Sequence, residues 1–176
     1  MKKTRSIFLL IVVIVLLLAV GTGVRYYDKN NETVQSTPHT VNTNIMSYTG
    51  NIVEQTQANT NFRKVLFTGT RSQLVAMSIP PGGEVGDETH TYTEQTLFFL
   101  SGTGESILNG KISPIGPGDV VVVVPGTEHN FKNTGTVPLK IYTVYAPPNH
   151  IDGTIEATKA DADANVQDEE FGNQPR

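Results

Sequence analysis

Between residues 62 and 147 the sequence leaves no room for a helix. Short apolar runs are cut off by turn signals before several helical turns could close. "KVLFTG" and "QLVAMSI" alternate or run apolar, and "PPGG" ends the second. "TLFFL" stops at "SGTG", and "ESIL" and "KISPI" flank Asn109-Gly110. That dipeptide suits a two-residue hairpin, because both of its residues tolerate positive φ. "DVVVVV" is β-branched and apolar at both parities, which predicts a strand covered on both faces. "LKIYTVYA" alternates again and stops at Pro147-Pro148. About eight strands in such a span predict an all-β sandwich or jelly roll.

The flanks are of another kind. "MKKTRS" precedes the uncharged run "IFLLIVVIVLLLAV", residues 7–20, and the apolar reach continues to Val24. As a helix this segment is about 27 Å long, just enough for a bilayer core. Residues 1–24 therefore read as a signal-anchor or transmembrane helix, with the basic end kept in the cytoplasm. Small residues near Ala19–Gly21 leave cleavage as a signal peptide open. Either way the rest of the chain is expected outside the cytoplasm, membrane-anchored or secreted. Residues 25–50 are polar and rich in Asn and Thr, and read as a linker. Residues 151–176 carry Asp152, Glu156, Asp161, Asp163, Asp168, Glu169 and Glu170 against Lys159 and Arg176. They predict an acidic C-terminal tail, loosely ordered or short-helical and solvated.

Composition narrows the chemistry. Cysteine is absent, which excludes disulfides, thiolate metal sites and thiol nucleophiles. The net charge is −4 even with Lys2, Lys3 and Arg5 counted, so the domain repels phosphate backbones and nucleic acid is not an expected partner. Residues 51–150 form the one expected barrel. Its core would be modest, which leaves room for a homodimer.

The chemistry-bearing residues cluster in two places. In "EVGDETHTYTEQT", Glu88 and His90 are two apart, so on a strand they share a face. His129 lies in "VPGTEHNFKN", after the valine run and a glycine turn. A barrel can bring Glu88, His90 and His129 into one cavity. Imidazoles with carboxylate or amide oxygens suit a divalent cation. Tyr92 is expected to pack on the rim, Phe98 and Phe99 in the sheet, and Glu128 to face solvent. His150 is expected at the surface, capping the last strand.

These residues resemble the cupins, small double-stranded β-helix barrels. The first cupin motif is G-x5-H-x-H-x3-4-E-x6-G. Here Gly82 leads, Glu88 replaces the first histidine and His90 is the second. The acidic slot falls on Glu94 or Gln95, and the six residues between Gln95 and Gly102 favour Gln95. The second motif is G-x5-P-x-G-x2-H-x3-N, matched in spacing by Gly118, Gly126, His129 and Asn133, with Val124 in the proline slot. The resemblance implies a jelly-roll barrel, preceded here by the N-terminal helix. It implies a site for Mn, Fe, Zn or Ni built from Glu88, His90, Gln95 and His129, and a small-molecule ligand such as a sugar or organic acid. Glu88 could instead be a general base held off the metal, or the site could have lost its metal. The family spans isomerases, dioxygenases, decarboxylases and non-catalytic binders, so the reaction is not implied.

Overall fold

The computed structural model describes residues 47–175. The helix expected at 1–24 and nearly all of the linker expected at 25–50 lie outside the described residues. Among the described residues no helix is long and apolar enough to cross a membrane.

Helix α1 (Ile52–Ala58) is an element that the strand pattern did not predict. Asn51 caps it, its side chain accepting from the Glu54 N–H at 3.3 Å. The strands follow as β1 (Arg63–Thr68), β2 (Gln73–Ile79), β3 (Glu88–Thr89), β4 (Glu94–Ser101), β5 (Gly104–Leu108), β6 (Lys111–Ile115), β7 (Val120–Val123), β8 (Glu128–Asn133) and β9 (Leu139–Ala146). They make two antiparallel sheets, as in a jelly roll. One has the order β10-β1-β2-β9-β4-β7, its outermost strand β10 being Ile155–Glu156. The other has the order β3-β8-β5-β6.

Period-two alternation faces the sheets onto one core. In β9 Leu139, Ile141, Thr143 and Tyr145 are buried, and in β4 Gln95, Leu97 and Phe99. With Met77 of β2 and Phe131 of β8 these apolar side chains form a single cluster. Burying each large one contributes about 1.5–3 kcal/mol. The Asn109-Gly110 hairpin forms as expected: Leu108 pairs with Lys111, and φ is 47° at Asn109 and 77° at Gly110. Asn133 is structural, its amide donating to the Ile79 and Val137 carbonyls at 2.8 and 2.9 Å.

Two expectations are corrected here. The valine strand is not covered on both faces. β7 is an edge strand, and Val120, Val122 and Val124 are each at least half exposed. The acidic C-terminal segment does form short helices, α2 (Lys159–Asp163) and α3 (Val166–Gly172), but it is not solvated throughout. Glu156 and Asp168 are buried, because each meets Arg63 of β1. Thr158 and Asp161 form a capping box that starts α2.

Candidate metal centre

A two-residue strand sets half of the site. β3 pairs with β8 so that Glu88 stands opposite His129, and Thr89 opposite the exposed Glu128. Opposed side chains of an antiparallel ladder leave the backbone about 4.5–5.5 Å apart at Cβ, so register alone joins carboxylate to imidazole. His90 follows at once, and its carbonyl accepts from the Gly126 N–H at 2.9 Å. This fastens the His90 turn to the turn ahead of His129, where Gly126 takes φ 82°. Asn130 secures the loop before Glu88. It accepts from the Gly86 N–H at 3.0 Å and donates to Glu84 and Asp87 at 2.9 and 3.1 Å.

Glu88 Oε2 lies 3.6 Å from His90 Nε2 and 3.9 Å from His129 Nε2. One ligand atom from each of the three falls within 4.8 Å of the others. His129 Nδ1 is 2.9 Å from the Thr127 carbonyl oxygen, which can only accept. Nδ1 therefore carries the proton and Nε2 presents a lone pair to the site. Burial, helped by His129, His150 and Arg63, lowers the His90 pKa to about 3, so its ring is neutral, the form a metal requires. Burial also raises the Glu88 carboxyl, against the opposing pull of Arg63 and His129. Glu88 Oε1 is 3.5 Å from the Arg63 guanidinium, which leaves Oε2 turned towards the histidines.

Gln95 comes from the other sheet. It pairs with Tyr145, and its Nε2 donates to the Tyr145 hydroxyl at 2.9 Å. Its Oε1 is left buried with no hydrogen-bond partner, as is His90 Nε2. The amide lies close enough to the His90 ring to favour that ring's charged form. Glu94, one residue earlier, is exposed on the outer face. The structure thus brings Glu88, His90 and His129 together, sets Gln95 beside His90 and turns Glu94 away. Two imidazole nitrogens, a carboxylate oxygen and an amide oxygen are all acceptors. Buried acceptors without donors cost about 1–3 kcal/mol each. A divalent cation fits this donor set, and its hard–soft balance suits the metals that imidazole and oxygen share.

A cavity of about 380 Å³ is lined by Glu88 and His90 of the trio. The loop after β9 and helices α2 and α3 wall it, and it includes residues that the sequence reading missed. His150, expected at the surface, is buried, because Gln73 holds its backbone from both sides. Gln73 Oε1 accepts from the His150 N–H at 2.9 Å, and Gln73 Nε2 donates to the His150 carbonyl at 2.7 Å. His150 Nδ1 lies 2.6 Å from Asp168 Oδ2. Arg63 sits between the two halves, 3.5 Å from Asp168 and 3.2 Å from Glu156. A charged residue at an inward strand position was the one available signal for Arg63. Nothing local in the sequence marks its partners. Tyr92 is exposed, and Phe98 stacks on Tyr142 at 4.8 Å.

Residues 75–145 match the cupin domain family. The chain is a cupin. The uncharacterized protein YrkC of Bacillus subtilis is 40% identical over 119 residues, 64% of this chain and 63% of that protein. The cupin thus spans less than two thirds of that relative's length. The crystal structure of BH2720 from Bacillus halodurans superposes with a TM-score of 0.67 at 34% identity, covering 69% of this chain and 97% of that one. The oxalate-binding protein of Thermotoga maritima is 37% identical over 68 residues, 39% of this chain and 56% of that protein.

Proposed function

We propose that this cupin holds a divalent metal on Glu88, His90, Gln95 and His129, and acts on a small polar molecule, a sugar or an organic acid, in the cavity that Glu88 and His90 line. The carrying observation is the convergence of ligand atoms from Glu88, His90 and His129 within 4.8 Å of one another, with His90 Nε2 and the Gln95 amide oxygen buried without a hydrogen-bond partner. When bound, the metal would polarise a ligand oxygen as a Lewis acid. The chain's residues do the rest. Thr127 fixes the tautomer of His129, Tyr145 aims the Gln95 oxygen, and Arg63 orients Glu88. The test is metal analysis of protein purified without chelator. One ion per chain is expected, with its loss in His90→Ala and His129→Ala. Metal content unchanged in both variants would sink the reading.

A non-catalytic binding module is the second reading, favoured by the likeness to the oxalate-binding protein. Saturable binding without turnover by the metal-loaded protein would select it. The apolar run at residues 7–20 supports placing the barrel at a membrane, outside the cytoplasm, which fractionation of membranes from soluble protein checks.

A further inference from the structure

Beside the proposed metal centre the cavity wall carries a second set of polar atoms that the cupin motifs do not supply. His150 and Asn149 follow β9 and line the cavity together with Glu88 and His90. Both are at least nine-tenths buried, at 4% and 5% exposure. His150 Nε2 and Asn149 Oδ1 are buried without a hydrogen-bond partner, and so is Arg63 Nε.

The chemistry of these atoms selects what can meet them. Burial pulls the His150 pKa down to about 4 against the opposing effect of Asp168, so its ring is neutral near pH 7. For Asp168, burial works upwards but is outweighed by the bond to His150, the Ile151 N–H and Arg63, so its carboxyl stays below its ordinary value. The Nδ1 proton therefore points at an ionised Asp168, and Nε2 is an acceptor. Asn149 Oδ1 is a second acceptor. A carboxylate or phosphate brings acceptors only and can satisfy neither. The cations of the cavity are already engaged. Arg63 is shared by Glu88, Glu156 and Asp168, and Lys159 by both oxygens of Asp163 at 2.8 Å. Asp87, Glu88, Asp163, Asp168 and Glu169 line the wall and outnumber the positive charges of Arg63, Lys159 and a bound divalent ion, so an added anion meets a wall that stays net negative. A hydroxyl both donates and accepts, and so can serve Nε2, Oδ1 and the Arg63 N–H alike.

We propose that His150 and Asn149 form a hydroxyl-binding subsite, and that the small molecule bound here is an uncharged polyhydroxy compound, a free sugar or polyol, rather than an organic acid or sugar phosphate. This rests on the reading that the cavity takes a small polar molecule, and it narrows that reading to one class. Asp168 is the positioning residue, holding His150 in the tautomer that accepts.

The test is calorimetric titration of the metal-loaded full chain with D-xylose, D-mannose and myo-inositol, and separately with oxalate, malate and mannose 6-phosphate. Saturable binding of at least one uncharged probe is expected, tighter than that of any acid. Losing one buried hydrogen bond should weaken it about tenfold in His150→Gln and in Asn149→Leu. Metal content, measured on the same samples, should stay at the wild-type level, and circular dichroism confirms that each variant is folded. Tighter binding of the acids overturns the proposal, as does the absence of binding by every uncharged probe, or equal sugar affinity in both variants. A wild-type protein without metal overturns the metal reading instead. The titrations are then run on the metal-free chain, where the same affinity order and the same losses are expected.

Discussion

The interior of this barrel has two regions built on opposite terms. Around Leu97, Phe99, Phe131 and Ile141 the inward side chains are nearly inaccessible, and the polar ones among them, Ser106 and Thr143, donate to backbone carbonyls. Around His90, Gln95, His150 and Arg63 the side chains are buried or largely so, yet several polar atoms have no partner. The first region gains stability from each group it buries. The second carries uncompensated burial that only a ligand or ion relieves. Stability and function are thereby assigned to neighbouring stretches of the same strands. β4 runs from Gln95 at the site to Phe99 in the core, and β9 from Tyr145 to Ile141.

The contrast breaks most readily in the core. Phe131→Ala removes a ring with 0% exposure and should cost about 3–5 kcal/mol in urea unfolding. The folded fraction should keep the metal content of the wild type. A loss of metal from folded protein would mean that the two regions are not separable.

Arg63 joins the regions, and its variant sharpens the comparison. Arg63→Leu leaves Glu156 and Asp168 buried without their cation, which should cost about 3 kcal/mol. Unlike the core variant, it should also weaken metal binding, because Glu88 loses the group that orients it. Unfolding curves and metal titration on the same samples separate the two effects.

A smaller effect follows from pH. His150 is held near 4 against an ordinary value of 6.5, and Asp168 is held below its ordinary value. Both groups bind protons more readily in the unfolded chain. Stability should therefore be full above about pH 6.5 and fall as the pH drops through 6.5 towards about 4. The groups that face His150 are Arg63, Asp168 and Tyr145. Urea midpoints of metal-free protein between pH 7.5 and 4.5 check this, and the slope should flatten in His150→Gln. A slope left unchanged in His150→Gln would show that His150 does not carry the effect.

What was legible in the sequence follows the range of the interaction concerned. The hairpin at Asn109-Gly110 is local and formed as read. Glu88, His90 and His129 were legible because glycine turns fix motif spacing, and spacing fixes which inward positions meet. Gln95 rather than Glu94 faces inward, as the count to Gly102 favoured. Arg63, His150 and Asp168 were not legible as a group. Arg63 and His150 lie 87 residues apart, and neither sits in a pattern that names the other. Their meeting is a product of topology, in which β10 returns the chain beside β1 and carries α3 over the mouth. The exposed valines were misread for a related reason: β-branched runs suit any strand, and only sheet order tells an edge from a centre.

That edge gives the smallest effect expected. Val122 is half exposed and lies opposite Thr96, on the outer face of β7. Val122→Thr keeps the β-branched shape and should change monomer stability by no more than about 0.5 kcal/mol. Its value lies in what a larger effect would mean. Two exposed valines on an edge strand, with Val124 just past its end, are an association hazard unless something covers them. A cost well above that, together with a lower mass in sedimentation than the wild type, would show that a second copy covers β7 in solution. The two-sided burial read from "DVVVVV" would then belong to the homodimer and not to the single chain. An unchanged midpoint and unchanged mass would leave β7 a bare edge, and its valines a sheet-forming choice made for backbone shape alone.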